Sequence, residues 1–252
     1  MEVASFRVAV AGLVLTPISL RALWRFRGKW KPMLAVGMLG NLIPAFLFAK
    51  AQTVISSSLS GMLNSLTAVF TLLFGVWFFK VVAEKKKWWG VFIALGGSSL
   101  LFLDDLLSTD LGQIQYGALV LLATACYGMS VNTIRTYLSG IKSVEVAALS
   151  LLPVSLISLV VYLNVGDLST FSHEAGRISL GAIFLLAVTG TAFASVLFFH
   201  LVARTSALFA STVTYLIPLV AIFWGVLDGE KIHWMEGLGM LTILLGILLT
   251  RK

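Results

Sequence analysis

Charge is what this chain has least of. Only 12% of its residues are charged, where a water-soluble domain carries about 25%, so it could not cover a globular surface with polar groups. Its single cysteine, Cys126, lies inside an apolar run, rules out an intrachain disulfide and is read as a small packing residue. No Asp or Glu falls in the middle of any apolar run, and Glu145 stands only at a boundary. Proton and cation pumping usually needs such a buried carboxylate, so a cationic-drug antiporter of the small multidrug type is disfavoured. No HExxH, no phosphate-binding glycine loop and no paired intramembrane aspartate occurs, which argues against an ATPase or an intramembrane protease. No metal or cofactor is called for, and the chain is not expected to be an enzyme.

Apolar residues, by contrast, make up 59% of the chain, with a mean hydropathy of +0.99. They fall into nine runs, roughly 4–24, 33–51, 56–79, 88–103, 116–137, 144–164, 178–203, 207–227 and 234–250. Most are close to the ~20 residues a bilayer-crossing helix needs. The runs are continuous rather than alternating, which excludes a β-barrel. One integral-membrane domain, 1–252, is expected, all-α and polytopic.

The net charge of +7 is unevenly placed. If the 25–32 connection is cytoplasmic and each run crosses once, fourteen Lys and Arg fall on that side, among them Arg21, Arg25, Arg27, Lys29 and Lys85–Lys87. Arg7, Lys50, Arg177 and Lys231 are left on the other. The positive-inside rule selects this orientation, with a cytoplasmic C-terminus. Trp24, Trp30, Trp88 and Trp89 sit where helices meet headgroups. The basic charge is thus read as topogenic rather than as a nucleic-acid footprint.

A pattern of small and polar residues occurs twice, 150 positions apart. Ser57, Ser60, Gly61, Asn64, Ala68, Thr71 and Gly75 match Ala207, Ala210, Ser211, Thr214, Pro218, Ala221 and Gly225. Spacings of three, four and seven put each set on one helix face. Gly40/Gly190, Leu47/Leu197, Phe48/Phe198 and Ser56/Ser206 are identical at the same offset. The last pair of runs shares Gly90/Gly97 and Gly239/Gly246, and 4–24 aligns with 144–164 through Pro17/Pro153. Run 116–137 then has no counterpart. A first repeat over 1–103 and a second over 116–252 are expected, nine helices where a complete duplication would have ten. Matching helices stand five crossings apart, an odd number, so the halves should be inverted.

These residues resemble the EamA-like family of the drug/metabolite transporter superfamily. The resemblance rests on Tyr215-Leu-Ile-Pro218 with Gly225, Glu230, Gly239 and Gly246, on Ser5-Phe6-Arg7-Val8-Ala9, and on Tyr127-Gly128-Met129-Ser130-Val131-Asn132. It implies a ten-helix fold, here without the first helix, and the export or exchange of small metabolites. The departure of Ala68 from the proline at Pro218 is noted.

Candidate substrate contacts follow from polar groups that a lipid-facing helix would not carry. Asn41 and Asn64 lie on the small-residue stripes of neighbouring runs; an amide at mid-membrane needs a partner, water or substrate. Thr191, Ser211 and Thr214 occupy the corresponding stripes of the second half, although such hydroxyls also bond their own helix. Tyr127, on the unduplicated helix, offers a ring face and a hydroxyl. Lys50 and His200 are equivalent by the repeat and suit a carboxylate, but nine residues from Asn41 turn Lys50 off the stripe, and snorkelling is the competing reading. Arg7 leaves the same choice open at the outer mouth. Pro44, Pro153 and Pro218 either kink their helices or free carbonyls toward a cavity. Runs 33–51, 56–79, 178–203 and 207–227 are expected to form the cavity and the end helices a scaffold.

The expected function is a secondary transporter of small polar metabolites such as amino acids, working by alternating access in a bacterial inner membrane. Its partners would be a small-molecule substrate and the lipid bilayer, not nucleic acid, with a homodimer left open. The alternative is a truncated, non-transporting paralogue, or a scaffold needing a partner helix.

Overall fold

The computed structural model describes residues 2–101, 114–166, 174–217, 219–220 and 234–250. Among them no strand occurs, and six helical stretches are long and apolar enough to cross a membrane. The α-helices are α1 (Glu2–Leu23), α2 (Trp30–Gly37), α3 (Ile43–Ala51), α4 (Ser57–Asn64), α5 (Thr67–Trp77), α6 (Lys85–Leu101), α7 (Ile114–Tyr137), α8 (Ser143–Val165), α9 (Glu174–Leu186), α10 (Ala194–Arg204), α11 (Ala207–Ser211) and α12 (Trp234–Thr250). A π-helix at Met38–Leu42 joins α2 to α3, and another at Ala187–Phe193 joins α9 to α10. Much of the expected run 207–227 lies outside the described residues.

The chain folds as two compact units, Met1–Ala49 with Thr133–Thr205, and Lys50–Asn132 with Ser206–Lys252. Neither unit coincides with a half of the sequence; each takes elements from both.

In the first unit, α1 packs along α8. The Phe6 ring lies 5.0 Å from that of Tyr162, while Gly12 comes against Ser155 and the Leu151 carbonyl, and Arg25 pairs with Glu145. Residue numbers rise on one helix as they fall on the other, so this matched pair is antiparallel. Gly37 of α2 abuts the Ser150 carbonyl on α8. The end of α10 is capped from outside, because Nη1 of Arg135 donates to the Ala203 carbonyl at 2.8 Å, where terminal carbonyls lack helical partners and attract a cation.

In the second unit, α6 and α12 lie backbone to backbone. A Cβ added at Gly90 would stand 2.8 Å from the Gly246 carbonyl oxygen, and one at Gly97 2.8 Å from that of Gly239. The shared Gly-x6-Gly spacing is therefore an antiparallel contact in which each helix's glycines admit the other's main chain, the usual route to helix association in lipid. Buried Gly239, Ile243 and Gly246 face inward on α12, and exposed Leu238, Leu241, Leu245 and Leu248 lie on its other side. Leucine outside and glycine inside is the pattern of a helix solvated by hydrocarbon. Ala68, Ala94, Tyr215 and Ile243 form a fully buried cluster, and the Tyr215 hydroxyl donates to the Val91 carbonyl at 3.2 Å. Both helix pairs, α1 with α8 and α6 with α12, are thus antiparallel.

Candidate functional site

The four runs expected to line a cavity are not continuous α-helices. Run 33–51 is interrupted by the π-helix at 38–42 and run 178–203 by that at 187–193; shifting the first by 150 residues places it within the second. The amide N–H of Ile43 reaches back five residues to the Met38 carbonyl, and that of Ala194 to Thr189. Pro44, which brings no N–H, follows the first bulge, yet Ala194 holds the equivalent place after the second. Proline is thus not what makes the bulge, and Gly40/Gly190 is the residue both bulges share.

Run 56–79 breaks at Ser65–Leu66, between α4 and α5. In the second half, α11 gives way to a 3-10 turn at Thr212–Tyr215, the corresponding level. Both helices also start alike. The Ser56 hydroxyl accepts from the Leu59 amide, and the Ser206 hydroxyl from the Phe209 amide, each at 3.1 Å, so the identity at 56/206 is that of two N-caps. Outside those four runs, α1, α6, α7, α8 and α12 are regular throughout their described lengths. Pro17 and Pro153 sit inside unbroken α1 and α8.

The first unit carries Asn41, Thr191 and His200. Asn41 lies in the first π-helix and Thr191, its repeat equivalent, in the second; both are half-buried. Nδ2 of Asn41 is buried and has no hydrogen-bond partner among the described residues. Nε of Arg7, on α1 of the same unit, is likewise buried and unpartnered. His200 is exposed on α10. In this unit the orphan nitrogens are thus two N–H donors.

The second unit carries Lys50, Asn64, Tyr127, Ser211 and Thr214. Asn64 ends α4 at the break, and its Oδ1 accepts from the Thr67 hydroxyl at 3.4 Å. Thr67 was not singled out in the sequence, although an Asn and a Thr three residues apart on one helix are neighbours. The Ser211 hydroxyl donates to the Leu208 carbonyl and that of Thr214 to the Ser211 carbonyl, which leaves their oxygens as acceptors. Tyr127 is half-buried on α7, and Lys50 is exposed at the end of α3. Asn132 is structural: buried, it donates through Nδ2 to the carbonyls of Thr71 at 2.8 Å and Gly128 at 2.9 Å.

Interrupted helices in paired positions amid regular ones are where membrane transporters place irregular backbone. The model of the EamA-like transporter family matches residues 1–103 and 116–252. The chain belongs to the EamA-like transporter family. As an EamA-like protein it is an integral membrane transporter of the drug/metabolite type. No curated protein matches it. A solved structure titled only "Crystal structure of protein" is similar over 99% of this chain and 86% of its own, with a TM-score of 0.73 and 13% identity. That likeness bears on the fold alone.

Proposed function

We propose that this EamA-like protein is a secondary transporter, an exporter or exchanger, that moves small polar metabolites such as amino acids by alternating access. The observation that carries the reading is the placement of the four interruptions, two π-helices and two helix breaks, at matched levels of the repeat. Irregular backbone frees carbonyls and amides for a ligand and gives a helix a place to bend. Asn41 and Thr191 are the proposed substrate contacts of the first unit, with His200 at its periphery. Asn64 and Tyr127 are those of the second, with Ser211 and Thr214 as acceptors and Lys50 at its edge. The orphan donors Asn41 and Arg7 favour a substrate rich in acceptor oxygens, such as a carboxylate or zwitterion.

The halves 1–103 and 116–252 are proposed to be the inverted repeats, in a bacterial inner membrane with the C-terminus cytoplasmic. Uptake and efflux of labelled metabolites in proteoliposomes, with and without a pH gradient, tests the function. Asn41→Leu/Asn64→Leu should insert normally and lose most transport. Wild-type transport by that double variant would overturn the site.

A further inference from the structure

The first unit also holds a cleft that the transport reading does not use. About 260 Å³ in volume, it lies between the end of α1, the start of α2 and the first half of α8. Its walls are apolar, built from residues such as Leu23, Leu34, Leu152 and Leu156, and Arg27 and Trp30 stand among its lining residues. Leu156 is 55% exposed and Trp30 57%, so the cleft opens outward to what surrounds the helices. A small polar metabolite would find one cation there and almost nothing else to bond.

Charge at this end is unbalanced. Arg25 is engaged by Glu145, the Lys29 ammonium donates to the Tyr137 carbonyl at 3.1 Å, and Lys31 sits over the Trp30 ring at 5.8 Å. Arg27 makes no hydrogen bond or ion pair among the described residues. Glu145, the carboxylate at this end of α8, is already taken. A greasy trough with an uncommitted guanidinium and a tryptophan complements an amphiphile with a negatively charged head.

We propose that this cleft is a specific site for an anionic phospholipid, with an acyl chain against the leucines and the headgroup phosphate on Arg27. The site is independent of the transported substrate. A zwitterionic lipid of the same chains offers the phosphate together with a cation that Arg27 repels, so it binds more weakly.

Native mass spectrometry of the full chain in detergent, titrated with phosphatidylglycerol or phosphatidylcholine of identical chains, tests this. The wild type should prefer phosphatidylglycerol, and Arg27→Gln should reduce that preference about fivefold, the equivalent of about 1 kcal/mol for one basic residue at a lipid headgroup. Arg27 is exposed and lacks a polar partner, so the variant should fold, and an unchanged melting temperature without lipid checks this. Lys86→Gln removes another exposed charge, in the other unit, and should keep the preference. An unchanged preference in Arg27→Gln, or an equal loss in Lys86→Gln, overturns the proposal, the latter by showing diffuse attraction to basic residues in general.

Discussion

Asn41 and Asn132 are the same amide in two opposite situations, and nothing in their types distinguishes them. Asn132 has both amide hydrogens placed, on carbonyls of α5 and of its own helix, whereas Nδ2 of Asn41 has none. Buried donors cost folding energy when unpaired and contribute when paired. Asn132→Leu should therefore lower stability by about 1 kcal/mol, read as a melting shift in detergent. Asn41→Leu should leave the melting temperature unchanged or raise it while transport falls. The reverse pattern would exchange the roles. Lys80 supplies a second residue-scale test. It adopts a left-handed conformation, φ +54°, and hands the chain to Val81, whose amide returns to the Gly75 carbonyl at 2.9 Å. That closing bond at a helix end favours glycine at the left-handed position. Lys80→Gly should stabilise the protein by about 1 kcal/mol, measured by thermal unfolding.

The sequence delimited most elements well, because a bilayer sets their length and polarity. It could not announce their interruptions. A π-helix and an α-helix present the same apolar composition; the choice turns on local backbone hydrogen bonding that no single residue dictates. Gly40 and Gly190 marked the two bulges only as an unexplained identity, and Pro44 was a misleading cue because Ala194 follows the second bulge. Pro44→Ala should accordingly keep the fold with a stability change below about 1 kcal/mol. The glycine spacing of α6 and α12 was legible as a shared pattern, and its meaning needed the contact. Gly90, Gly97 and Gly246 meet main-chain atoms that cannot move aside, so Gly97→Val should cost at least the ~1–3 kcal/mol of an overpacked core, seen as poor recovery of folded protein. The candidate site was legible only as residues: the stripes named Asn41 and Asn64, while Thr67 and the orphaned Arg7 nitrogen required coordinates.

For the whole molecule, the decisive quantity is the sidedness of its charge. The units mix the halves of the sequence, as matched helices must if each packs antiparallel to its own copy. Such pairing leaves each half's orientation to the basic loops, and in the proposed orientation Arg21–Lys31 and Lys85–Lys87 supply much of the cytoplasmic charge. Single-cysteine labelling can read this directly on a Cys126→Ser background. Gln52, Lys86 and Ser139 are all exposed and lie in or beside connections between helices, so a cysteine at each reports its side. In intact cells a membrane-impermeant maleimide should label Gln52→Cys at once, and label Lys86→Cys and Ser139→Cys only after permeabilisation. Labelling of Gln52→Cys and Lys86→Cys from the same side would mean that α4 and α5 together fail to cross, and an inverted repeat could not then be drawn through this chain. The opposite pattern, with Lys86→Cys and Ser139→Cys open and Gln52→Cys closed, would keep the repeat and overturn the charge rule that orients it.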